Sequence, residues 1–126
     1  MEITHAHLQE TVKEQIDSYV VPEHHPGAIG SAMPRSWFSD RLDEMRAAVV
    51  FPVPVRMHDV DDKTGDLVTL NVLIVVDDKQ GTLVAYDPES CDFVLANYAL
   101  EQGHTRPLEA ASTGVRGSAV DCYLAA

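Results

Sequence analysis

Apolar side chains recur at two different spacings along this chain, and the change of spacing divides it. After Thr4 the apolar positions are Leu8, Val12, Ile16 and Tyr19, the three-to-four-residue spacing of one helix face. Glu10, Lys13, Glu14 and Asp17 occupy the opposite face, and Thr4 stands where an N-cap belongs. A second helix is predicted from Ser36 or Ser39 through Ala48. Its stripe is Trp37, Phe38, Leu42, Met45 and Val49, with Arg41, Asp43, Glu44 and Arg46 facing out and Trp37 roofing a sheet. Between the two, Val21 to Pro34 contains Pro22, Pro26, Gly27 and Gly30 and reads as a connection longer than most.

From Val49 onward the spacing falls to two, the period of a strand. Val49, Phe51, Val53, Val55 and Met57 alternate with Val50, Pro52, Pro54, Arg56 and His58. Two prolines so close together predict an edge strand or one with an irregular start. Leu67 to Val76 is the longest β-branched and aliphatic run, and it predicts the central strand. Its apolar face (Val68, Leu70, Val72, Ile74, Val76) is expected to meet the helix stripes. Its mixed face (Leu67, Thr69, Asn71, Leu73, Val75) is left needing cover. Thr82 to Tyr86 and Asp92 to Tyr98 predict two further strands, joined to their neighbours by Asp77–Gly81 and Asp87–Ser90. Gly103, Pro107, Gly114 and Gly117 interrupt the next stretch, where Pro107 to Ala111 could hold one helical turn, and Ser118 to Leu124 reads as a last short strand. The expected architecture is α+β: two N-terminal helices packed on one face of a four- to five-stranded, mainly antiparallel meander sheet, one domain over 1–126.

Composition adds one strong constraint. With 20 acidic and 9 basic residues the formal net charge is −11, which disfavours direct binding of nucleic acid or anionic membrane, where Lys and Arg must neutralise phosphate. The hydrophobic and charged fractions, 45% and 23%, are those of an ordinary globular chain. No apolar run approaches the roughly 20 residues that span a bilayer, and Met1 to Gln15 lacks the pattern of a targeting peptide, so a cytoplasmic location is expected. Cys91 and Cys122 form no CxxC and are expected to be free thiols.

Candidate chemistry follows from the meander. Its first and third turns fall at the same end of the sheet, which gathers Asp59, Asp61, Asp62, Asp66, Asp87, Glu89 and Asp92 into an acidic rim with Lys63 the only base between them. The spacing does not match a calcium-binding EF-hand loop, because Lys63 takes a ligand position and no acid lies twelve positions from Asp59. His24 and His25 are adjacent and point apart, there is no HExxH, and Gly27-Ala28-Ile29-Gly30 follows no strand and lacks the third glycine of a nucleotide-binding loop. No catalytic residue, metal site or cofactor is therefore expected, and an enzyme is the less favoured reading. The leading expectation is a small acidic binding or inhibitor-type protein, in the style of an immunity or anti-defence factor, acting through an interface with a basic protein. One alternative is a pocket protein, either a ligand carrier or an isomerase- or hydrolase-like enzyme, lined by Trp37, His58, Thr69, Asn71, Tyr86 and Tyr98. Another is a homodimer or larger homo-oligomer formed through the mixed sheet face.

Overall fold

The computed structural model describes residues 4–21, 34–61, 63–101 and 104–126, with backbone only for 98–101 and 104–109. Two N-terminal helices, α1 (His5–Ser18) and α2 (Arg35–Ala48), precede strands β1 (Val49–Val60), β2 (Leu67–Asp77), β3 (Thr82–Asp87), β4 (Asp92–Glu101) and β5 (His104–Gly117). A third helix, α3 (Ala119–Leu124), ends the chain. The class is α+β with a mostly antiparallel sheet, as the patterning implies. The sheet does not stay open, however: it closes into a barrel in the order β1-β2-β3-β4-β5, with β5 returning to β1. Five strands that alternate in direction leave the first and last running the same way, so the closing pair has to be parallel. It is also short, with only Arg56↔Glu109, Met57↔Ala110 and His58↔Ala111 in register.

The prolines of β1 fit this seam. The β1–β2 register shifts between Val49 and Val53, and the pairing with β5 starts at Arg56, past both Pro52 and Pro54. A residue without an N–H cannot donate to a ladder, so the irregular start is where the prolines have to be. β1 is not an edge strand, because it is paired on both sides.

Barrel closure reverses the expected roles of the two faces of β2. Val72 and Ile74 point into the barrel, packed with Val55 and Met57 of β1, Leu83 and Ala85 of β3, Val94 and Ala96 of β4 and Ala110 of β5. Alanines on three strands leave room for Met57 and Leu83, which are both fully buried, and the interior is filled by side chains. The helices instead cover the outside. Leu8, Val12 and Ile16 of α1, Met45 of α2 and Val120, Cys122 and Tyr123 of α3 pack on Val75, Val84, Phe93 and Leu95. The face expected to lack cover is thus covered at its C-terminal half, through Leu73 and Val75, and open at its N-terminal half, where Leu67, Thr69 and Asn71 are exposed. Val76 joins the helix-side cluster although it lies two residues after the inward Ile74. The β2–β3 register shifts between those residues, and such a bulge turns a side chain to the other face.

Two further expectations are corrected. Ser118–Leu124 is not a strand: Ser118 Oγ accepts from the Asp121 N–H at 3.1 Å and starts α3, and Gln15 Oε1 accepts from the Ala119 N–H at 2.8 Å. Two of the donors that a helix start leaves open are thereby satisfied. The returning strand is the stretch before it, where Gly114 (φ 87°) and Gly117 (φ 149°) allow β5 to bend instead of ending it. Trp37 does not roof the sheet. It is half-buried and packs edge-on against Phe38, with ring centroids 4.9 Å apart. α1 is capped by Thr4 as expected, its Oγ1 accepting from His7 N at 3.1 Å, whereas α2 begins at Arg35 behind Pro34 with no side-chain cap. The long connection predicted at Val21 to Pro34 lies, from 22 to 33, outside the described residues.

Candidate functional site

The turns joining β1 to β2 and β3 to β4 do share an end of the barrel, and the base that ties them together is Arg116, near the end of β5. Its Nη1 donates to Asp87 Oδ2 at 3.2 Å, Asp92 Oδ1 at 2.8 Å and Ser90 Oγ at 3.0 Å, and its Nη2 donates to Asp59 Oδ2 at 3.3 Å. One guanidinium therefore joins β5 to β1, β3 and β4. Asp87 and Asp92 face each other on one rung of the β3–β4 ladder, where like charges repel, and Arg116 relieves that repulsion. Burial pulls the Arg116 pKa down, but hydrogen bonds to Asp87 and Asp59 and the charge of Asp92 outweigh it and hold the pKa above its ordinary value.

Lys63 is accordingly not the only base of the rim, and the acids there fall into two groups. Asp87 is buried, Asp59 and Asp92 are half-buried, and all three are engaged by Arg116. Asp61 is half-buried and shapes the β1–β2 turn: its Oδ1 accepts from Lys63 N at 2.8 Å, and its own N–H donates to the Asp66 carbonyl at 2.8 Å. Asp66 and Glu89 are exposed. Asp62 lies outside the described residues.

Beside these acids stand two exposed apolar side chains that the sequence reading did not connect with them. Val60 and Leu67 are opposite each other on the last rung of the β1–β2 ladder and are 52% and 74% exposed. Val115, next to Arg116, is 37% exposed. Large apolar groups are thus left in water beside exposed and half-buried carboxylates.

The residues proposed to line a pocket lie in separate places. His58 is opposite Thr69, and Asn71 is opposite Arg56, all on the β1–β2 ribbon. Trp37 lies on α2. Tyr86 packs on the helix side of β3 against Phe93, with centroids 5.3 Å apart, and burial followed by a hydrogen bond with Cys91 raises its pKa. The side chain of Tyr98 is outside the described residues, although its backbone pairs with Ala110. A cleft of about 510 Å³ opens elsewhere, between α2, α3 and the β2–β3 turn, and Arg41, Asp78 and Tyr123 are among its walls. Arg41 does not simply face out of α2: its side chain is only 22% exposed, and it lies over the Tyr123 ring at 4.6 Å.

Neither Arg116 nor Arg41 announces its role in sequence. The partners of Arg116 come from three other strands, and Arg41, besides its neighbour Glu44 on α2, is held by Tyr123 of α3.

Among the described residues no group of three or more His, Cys, Asp or Glu is arranged to hold a metal ion, and both cysteines are free, Cys91 exposed and Cys122 buried. No family model matches the chain, and searches of curated proteins and of solved structures return no match.

Proposed function

We propose that this protein is a small acidic binding module of inhibitor type, which docks a basic protein against the end of the barrel that carries Arg116. The observation that carries this reading is the placement of exposed Val60 and Leu67 beside Asp61, Asp66 and Glu89. The apolar pair supplies surface that gains free energy when covered, at roughly 25 cal/mol per Å² of apolar area. The carboxylates select the sign of the partner and speed its approach. Six described carboxylates share this end with two bases, Lys63 and Arg116, so the local excess has the same sign as the net charge of −11. Such a module would act by occlusion, covering a basic active or nucleic-acid-binding surface on its partner, in the manner of an immunity or anti-defence factor in the cytoplasm.

The test is affinity capture from the native host with three baits: the wild type, Leu67→Ser, and the double variant Asp61→Lys/Glu89→Lys. The expected result is one basic protein retained by the wild type, released by raising the salt and lost from both variants. A partner held equally well by all three baits would overturn the assignment of this surface.

A further inference from the structure

Two carboxylates at the Arg116 end divide their oxygens between the guanidinium and the main chain. Asp59 accepts from Arg116 Nη2 through Oδ2 at 3.3 Å and from the Val60 N–H through Oδ1 at 2.8 Å. Asp87 accepts from Arg116 Nη1 through Oδ2 at 3.2 Å and from the Glu89 N–H through Oδ1 at 3.0 Å. One guanidinium is therefore linked, through one carboxylate each, to the backbone of Val60 at the end of β1 and of Glu89 in the β3–β4 turn.

Strand pairing does not fix these two amides. The Asp61 N–H donates to the Asp66 carbonyl across the β1–β2 turn, and in an antiparallel ladder the N–H of the adjoining residue then points away from the partner strand. The Val60 N–H thus points to the β5 side of β1, where the β1–β5 pairing stops at His58↔Ala111. Glu89 lies beyond the end of β3 at Asp87. Nor are the two turns neighbours, since β1 adjoins β2 and β5 in the barrel order but not β3 or β4. The planar fork of a guanidinium, with several donors at fixed angles, can span that gap, and an ammonium cannot. Two other turn amides supply a comparison. Lys63 N and Gln80 N are held by Asp61 Oδ1 and Asp78 Oδ1, each at 2.8 Å, and neither carboxylate is bonded to an arginine among the described residues.

We infer that Arg116 is a positioning residue of the docking surface: acting through Asp59 and Asp87, it sets exposed Val60 at a fixed spacing from exposed Glu89. A partner then meets the apolar pair and the carboxylate already in register, and ordering the two turns does not have to be met from the binding free energy. This rests on the reading of the rim as the surface that docks a basic protein, and it assigns Arg116 no contact with that partner.

The test is amide proton exchange with water, read by NMR on isotope-labelled protein at a temperature where every variant is folded. In Arg116→Ala, exchange at Val60 and Glu89 should speed up by about tenfold, as expected when a local hydrogen bond is loosened. Lys63 and Gln80 should stay as in the wild type. Arg116→Lys keeps the charge, and its ammonium should remain with Asp87, Asp92 and Ser90, so Val60 alone should speed up. Used as a fourth bait in the capture from the native host, Arg116→Lys should hold the basic protein more weakly than the wild type, because the charge is kept and only the spacing is lost. Unchanged exchange at Val60 and Glu89, or equal acceleration at all four amides, the mark of a merely stabilising role, would overturn the inference. So would a lysine bait that retains the partner as well as the wild type does. If exchange responds as stated but the captured partner ignores Leu67→Ser and Asp61→Lys/Glu89→Lys, the rim reading falls and takes the docking role of Arg116 with it, while its hold on the two turns stands.

Discussion

Replacing Arg116 by alanine removes one side chain from the point where four of the five strands meet. Asp87 and Asp92 are then left opposed across a rung with Asp59 beside them, and β5 loses its side-chain tie to β1. Stripping one partner from a buried ion pair costs about 3–5 kcal/mol. Here water moderates the effect: the side chains of Arg116 and Asp92 are 30% and 31% exposed, and only Asp87, at 5%, is fully withdrawn. Asp87 also keeps one backbone donor, Glu89 N at 3.0 Å. The expected loss is about 2–3 kcal/mol, or about 8–12 °C in Tm for a chain of this length. Thermal and urea unfolding followed by far-ultraviolet circular dichroism at neutral pH measures it, with Glu89→Gln as a control that should move little. Arg116→Lys should recover only part of the loss, since an ammonium cannot fork among three carboxylates. An Arg116→Ala variant that melts within about 2 °C of the wild type, well under 1 kcal/mol, or a lysine variant indistinguishable from it, would show that these carboxylates are merely solvated and that Arg116 does not fasten the barrel end.

Three other outcomes are expected. Ser118→Ala removes the cap of α3, so stability should fall by about 1 kcal/mol in urea unfolding, and no change would mean that Gln15 alone orders the helix start. Burial, helped by the charges of Asp121 and Asp92, pushes the Cys122 thiol up from 9.0 to about 11, so at pH 8 iodoacetamide should modify exposed Cys91 and spare Cys122. The native state also binds the Cys122 proton more tightly than the unfolded chain. That contribution to stability is complete below pH 9 and declines as pH rises to about 11, and urea titrations of Cys122→Ala should lack this alkaline slope.

The two N-terminal helices and the first four strands were legible because each rests on local physics. Leu8, Val12 and Ile16 can share a face only in a helix, and the alternation from Val49 to Tyr86 suits only strands. The acidic rim was partly legible as well, since a meander must put its odd turns together. The place of Arg116 among those acids was not, because nothing near it in the chain marks its partners. α3 was misread because six residues are too few for helical periodicity to show, although Ser118 followed three residues later by Asp121 was a helix-start signal of the usual kind. β5 was missed because Pro107, Gly114 and Gly117 look like breaks until a bent strand needs them.

The sequence by itself determined the elements and the sign of the molecule: two amphipathic helices, an alternating meander and a net charge of −11. Which side of β2 is core was decided only in three dimensions. A strand pattern reports that one face is apolar without saying whether helices or the other strands of a barrel will cover it. Closure depends on β5 finding β1, a contact between residues some fifty positions apart, as with Arg56 and Glu109. That closure sends Val72 and Ile74 inward, turns Leu73 and Val75 to the helices, and leaves Leu67 in water beside the acids.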